Sequence, residues 1–189
     1  CDSLKRRLKE QGVHNIQGEF GIGLLSFWTV GHRLMMVSSD KDGKAYQMEM
    51  RKGEPGYAVI PRPRLLPVKG TQLTISHLLS GIRTLNGEKI QYYLASELRD
   101  RIRHSGVKIR IIDRTSRLEL DVEPRQYEGR LIHELPQINT PFGDVYVELY
   151  LSERKPENYI SLFRSGTRVL PDITVLDLFQ CKPWTSGYF

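Results

Sequence analysis

Gly18-Glu19-Phe20-Gly21-Ile22-Gly23 runs straight into Leu24-Leu25-Ser26-Phe27-Trp28-Thr29-Val30, and the reading of this stretch decides the fold. Phe20, Leu24, Phe27 and Trp28 recur at helical spacing and Gly31 supplies a stop, which predicts a glycine-rich loop opening a short buried helix. Successive backbone N–H groups in such a loop, followed by a helix N-terminus, form a concavity for anions. Gly18, Gly21 and Gly23 fit that use, because missing side chains let oxygens come close. The spacing is not the dinucleotide fingerprint, and no lysine follows as it does in the phosphate loop. Taken alone, the glycines fit a tight turn and close helix packing better than an anion site.

Outward from the loop the chain turns to strands. Arg33–Ser38 is a short apolar run, and Tyr46, Met48 and Met50 alternate with Gln47 and Glu49. Lys41-Asp42-Gly43-Lys44 between them is a hairpin signal. Tyr57–Ile60 predicts a third strand ended by Pro61-Arg62-Pro63, and Gly70–Ser76 a fourth with Leu73 and Ile75 on one side. Together they read as an antiparallel meander. Gly87–His104 predicts a helix with Ile90, Tyr93, Leu94, Leu98 and Ile102 as its apolar stripe, ended by Ser105-Gly106. Strands are expected over Val107–Ile112, over Leu118–Val122 and over Val145–Leu151. Another is expected from Tyr159 to Leu170, interrupted at Ser165-Gly166. The first residues, Cys1–Gln17, are polar and basic, a solvated or mobile segment.

The composition is that of an ordinary globular chain: 189 residues, 39 % hydrophobic and 26 % charged. That excludes collagen-like, low-complexity and wholly disordered classes. Two cysteines, Cys1 and Cys181, make no disulfide framework. No segment has the length and apolar content of a membrane span, so a cytoplasmic location is expected. The net charge of +6 permits an anionic partner without selecting one.

With its strands and the Gly70-Thr71 pair opening an alternating strand, the Gly18–Gly23 loop resembles the GHKL superfamily of ATPases (gyrase, heat-shock chaperone, histidine kinase, MutL), closest to the chaperone and MutL branches. The resemblance implies ATP with Mg²⁺ as cofactor. It also implies that Gly18, Glu19, Phe20, Gly21, Ile22 and Gly23 form the phosphate-binding loop, with Thr71 on the adenine side. Ile160–Val169 resembles the start of the second, transducing domain, and Pro183-Trp184-Thr185-Ser186-Gly187 an uncharacterised bacterial group of such proteins. The family's glutamate general base, its Mg²⁺-holding asparagine and its Asp-x-Gly-x-Gly loop are not found. Glu97-Leu98-Arg99-Asp100 sits on a later helix without the asparagine, and Asp40-Lys41-Asp42-Gly43 follows the phosphate loop with the wrong glycine spacing. Those elements are expected before Cys1, with Lys5–Lys9 a remnant of the nucleotide lid. This chain alone is then expected to bind ATP weakly and to hydrolyse it without appreciable rate, since a base within reach of its water and oxygen ligands for Mg²⁺ are both required.

Other candidates weigh less. His14, His32, His77, His104 and His133 lack metal-site spacing. Cys181 beside Lys182, and Ser26 and Ser165, lack an identifiable base and oxyanion hole. The basic run Arg99, Arg101, Arg103, Lys108 and Arg110 reads as a solvated helix face before it reads as a nucleic-acid contact. Trp184 and Tyr188 are expected as core or interface anchors, and an apolar ending suggests self-association.

The expected fold is α+β: residues 1–122 as the C-terminal portion of a Bergerat-type ATP-binding sandwich, and 123–189 as the start of a transducer-like α+β domain. The expected function is the ATP-binding part of a GHKL-type ATPase that couples nucleotide binding and hydrolysis to conformational change. The alternative is a non-catalytic interaction or nucleic-acid-binding module.

Overall fold

The computed structural model describes residues 10–12, 23–63, 69–82, 85–132, 137–156, 158–164 and 166–188. It is a mixed α+β chain whose sheets are all antiparallel. Its contacts divide it into two compact units, Cys1–Leu85 and Asn86–Phe189.

In the first unit a 3-10 helix over Gly23–Thr29 leads through Val30 into β1 (Gly31–Ser39), followed by β2 (Ala45–Arg51), β3 (Ala58–Arg62) and β4 (Gly70–Leu78). The β1–β2 hairpin closes where the sequence signal lies. Asp40 Oδ1 accepts the N–H groups of Asp42 (2.9 Å) and Lys44 (2.8 Å), and Gly43 takes φ +83°. β3 runs through Pro61 to Arg62, beyond the expected stop. Proline is tolerated there because β3 is an edge strand. The strand order β3-β2-β1-β4 corrects the simple meander: β4 returns to lie beside β1, the order of a Greek key. Gly31 is required by that return. A Cβ there would stand 2.7 Å from Ile75 Cγ2 and 3.0 Å from the Ser76 carbonyl.

The register sorts the side chains by face, since neighbours alternate. Leu34, Met36, Met48, Met50, Val59, Leu73 and Ile75 share one face; Arg33, Gln47, Glu49 and Arg51 share the other, where Glu49 accepts from Arg33 (2.6 Å) and Arg51 (3.1 Å). Phe27, Leu34, Val37 and Ala45 are the buried apolar residues, while Val59, Leu73 and Ile75 remain exposed.

In the second unit α1 (Gly87–Glu97) starts at Asn86, whose Oδ1 accepts the Lys89 N–H at 2.9 Å. The expected single helix is broken at Leu98 (φ −109°, ψ 15°). α2 (Arg99–Ser105) then ends on Gly106 at φ +67°, as the Ser-Gly signal requires. The expected stripe is corrected as well. Ile102 is buried as expected, but Ile90 and Tyr93 are exposed, and Ser96 and Arg99, outside the stripe, are buried. β5 (Arg110–Asp113) and β6 (Leu118–Asp121) form a hairpin turned by Asp113, whose Oδ1 accepts from the N–H groups of Thr115 and Ser116.

β7 (Arg130–Ile132), β8 (Ile138–Thr140), β9 (Gly143–Val145) and β10 (Leu149–Leu151) follow. The strand expected over Val145–Leu151 is thus two: β9 pairs with β8 and β10 with β7. In the gap between them Glu148 is drawn to Arg99 and Arg103. The single strand expected from Tyr159 to Leu170 is two, β11 (Leu162–Arg164) and β12 (Thr167–Leu170), paired antiparallel across the expected interruption, and short 3-10 turns follow. The expected boundary at 122/123 falls inside this unit. Gln91 Nε2 donates to the Asp121 carbonyl on one side of it, and Arg125 N–H to the Ala95 carbonyl on the other. No helix among the described residues is long and apolar enough to cross a membrane.

Candidate functional site

Of the expected phosphate loop, Gly18, Glu19, Phe20, Gly21 and Ile22 lie outside the described residues, as do the basic run Lys5–Lys9, Cys1, Ser165, His14 and His133. Gly23 is described. It opens the 3-10 helix, its carbonyl accepts from Ser26 Oγ at 2.7 Å, and a Cβ built on it would meet nothing within 4 Å among the described residues. Ser26 therefore serves its own helix turn and is no nucleophile in this arrangement.

Thr71 lies near the start of β4, directly opposite Ser38 of β1. Their hydroxyl oxygens are 3.0 Å apart, and Thr71 is exposed. Gly70, beside it, also faces open space. On the same face Thr71 neighbours Met36, Tyr46 and Leu73, of which Tyr46 and Leu73 are exposed, so its surroundings are apolar and uncharged. Ser39, on the opposite face, is 4 % exposed with no partner for its hydroxyl among the described residues. Gly23 joins the sheet at the Gly31 end of β1 and Thr71 at the Ser38 end. The two levels are seven residues, about 24 Å, apart along the strand.

The strongest polar cluster is elsewhere, in the second unit, and sequence reasoning placed its centre on a solvated face. Arg99 is 6 % exposed. Its Nε donates to the Arg125 carbonyl (3.0 Å), and its terminal nitrogens to Asp100 (2.7 Å), Glu148 (3.1 Å) and the Tyr150 hydroxyl (3.3 Å). The guanidinium lies 4.5 Å over the Tyr127 ring. Burial alone would lower the Arg99 pKa, but the Glu148 and Asp100 carboxylates outweigh it and hold it above the ordinary value. Burial likewise pushes Glu148 up, and Arg99, the Tyr150 hydroxyl and Arg103 together more than reverse that, so its carboxyl is held below the usual range.

Burial raises the Tyr127 phenol. Arg103 adds a second bond to Glu148 (3.1 Å), and Arg168 pairs with Glu97. With its donors and acceptors matched to one another, this cluster positions α2 against the segments that follow and offers no poised base.

The run read as a solvated face is corrected at Arg99, which is buried, whereas Arg103 and Arg110 are exposed as that reading has them. Arg99 and Arg103 are held by Glu148, and Arg110 by Glu119 and Asp121. No spacing rule could have found the Arg99–Glu148 pair, whose members are 49 residues apart. Cys181 is exposed and free. Among the described residues no group of three or more His, Cys, Asp or Glu is placed to hold a metal ion. No protein-family model and no curated protein sequence matches the chain.

Proposed function

We propose that the chain is the ATP-binding part of a GHKL-type ATPase that couples nucleotide binding and hydrolysis to conformational change. In this reading the chain carries elements of a Bergerat-type sandwich and of a transducer-like domain. The observation that carries the proposal is strand pairing: the strand entered from the Gly23 helix is hydrogen-bonded along its length to the strand that opens with Gly70-Thr71. The helix that Gly23 opens thus leads into β1, and Thr71 lies on the strand paired with β1. The space around Gly23 among the described residues and the exposed Thr71 hydroxyl, set in apolar surroundings suited to a flat base, support it further.

In this reading Gly23 and the glycines before it turn backbone N–H groups to phosphate oxygens, and Thr71 bonds toward the adenine. The reading also has a geometric condition. The seven-residue 3-10 helix spans about 14 Å, so it must run back along β1 for one ligand to reach both groups. ATP would supply the phosphate charge whose arrival and departure the loop senses. In this account Mg²⁺ would arrive with ATP, held through its phosphate oxygens.

Thermal unfolding with and without ATP tests the proposal. At tenfold excess over Kd the ligand adds about 1.4 kcal/mol, and Thr71→Val diminishes that gain. Absence of any ATP-dependent gain, together with salt-dependent DNA binding indifferent to nucleotide, would overturn it in favour of a nucleic-acid-binding module.

A further inference from the structure

In the second unit Arg154, Lys155, Pro156 and Asn158, with Asp172, Thr174 and the segment 184–187, line an open cleft of about 540 Å³, within the size range of small-molecule sites. Its frame is fixed by hydrogen bonds. Asn158 Nδ2 donates to Ser152 Oγ (2.9 Å) and to the carbonyls of Glu153 (2.8 Å) and Gly187 (2.8 Å), and Lys155 N–H also donates to Gly187 (3.2 Å). Gly187 sits at φ +75°, and a Cβ there would come within 3.0 Å of the Lys155 carbonyl, so the close approach of the two segments needs a glycine.

The lining carries opposite charges held apart. Arg154 makes no ion pair or side-chain hydrogen bond among the described residues, although Asp172 lines the same cleft. Asp172 uses one carboxylate oxygen, Oδ1, to accept the Thr174 N–H (2.8 Å); Oδ2 is left for another donor. Lys155, the second cation, is drawn to Glu128 at 2.8 Å. The Ser186 hydroxyl in the wall is buried and has no partner among the described residues. Trp184 presents an indole held edge-on by Phe179, with ring centroids 5.7 Å apart.

One cation, one carboxylate oxygen, an orphaned hydroxyl and an aromatic ring in a braced cleft match a ligand that bears both charges and an apolar group. A phosphate dianion fits poorly, since only one uncommitted cation faces it and Asp172 opposes it. We propose that this cleft binds a small zwitterion, a free α-amino acid with a large apolar side chain. Arg154 takes its carboxylate, Asp172 its ammonium, and Trp184 its side chain. The site is independent of the proposed nucleotide site.

The test is a titration with L-phenylalanine, phenylacetate and phenethylamine, read by Trp184 fluorescence in a Trp28→Phe background. Saturable binding of L-phenylalanine is expected, with each singly charged analogue weaker by about tenfold or more, the loss of one charge-assisted contact. Arg154→Gln, and Asp172→Asn, which keeps the acceptor for Thr174, each weaken L-phenylalanine by a similar factor. No saturable response, equal binding of the three compounds, or folded variants that bind L-phenylalanine undiminished would overturn the proposal. The comparison of the three compounds needs no variant, so it decides the matter even if a substitution fails to fold.

Discussion

Replacing Arg99 by methionine removes the centre of the buried polar cluster while returning a side chain of similar length. The lost interactions are hydrogen bonds to Asp100, Glu148, Tyr150 and the Arg125 carbonyl, and the contact over Tyr127. Removing one partner from a fully buried ion pair costs about 3–5 kcal/mol. Here the Asp100 and Glu148 side chains are 27 % and 42 % exposed and regain water, which lowers the figure to about 2–3 kcal/mol. Arg110 is the internal control. It bonds Asp121 at 3.1 Å and reaches Glu119 at 3.8 Å, but all three side chains are more than 60 % exposed, so Arg110→Ala costs about 0–1 kcal/mol.

Urea unfolding followed through Trp184, with Trp28 replaced by phenylalanine, reports the second unit alone and avoids assuming that both units melt together. A double-mutant cycle with Glu148→Gln should show a coupling of about 1 kcal/mol or more. Equal midpoint shifts for Arg99→Met and Arg110→Ala would refute the reasoning.

Two further outcomes follow from the geometry. Gly31→Ala forces a methyl against Ile75 and the Ser76 carbonyl and should destabilise the first unit by about 1–2 kcal/mol. Gly70→Ala, which meets open space, should stay within about 0.5 kcal/mol; urea midpoints followed through Trp28 compare the two. The second outcome concerns acid. Glu49 is held low by hydrogen bonds from Arg33 and Arg51, Asp113 by the N–H groups of Ser116 and Gly87, and Glu128 by Lys155; Glu148 is held low by Arg99, the Tyr150 hydroxyl and Arg103 against its burial. A carboxylate with a depressed folded pKa contributes stability that is complete above its unfolded pKa, about 4, and is lost as pH falls through the folded value. Stability should therefore decline below about pH 4, and Asp113→Asn should flatten that limb; a limb unchanged in the variant counts against the assignment.

How much was legible in the sequence depended on range. The β1–β2 hairpin and the Gly106 stop rest on residues within a few positions of one another, and they stand where alternation and turn chemistry put them. The return of β4 to β1 was not legible, because the same alternating pattern suits either edge of the three-stranded meander. Arg99 was assigned to solvent on hydropathy alone. What buries it is a set of partners at positions 125, 127, 148 and 150, and no periodicity connects them to the helix. The same distant pull on Glu148 accompanies the break in an otherwise well-alternating Val145–Leu151. Of the proposed nucleotide site, the family resemblance names the Gly18–Gly23 loop and Thr71, of which Gly23 and Thr71 are among the described residues. The structure adds that β1, entered from the helix that Gly23 opens, pairs with the strand carrying Thr71.

The most direct test of the nucleotide account is residue-resolved amide NMR of the chain titrated with ATP, with adenosine and inorganic triphosphate as separate arms. The account predicts saturable shifts at Gly18, Gly21 and Gly23 with ATP and triphosphate, and at Thr71 with ATP and adenosine. Amides of the 18–23 loop and Thr71 that stay unmoved by millimolar ATP would contradict it.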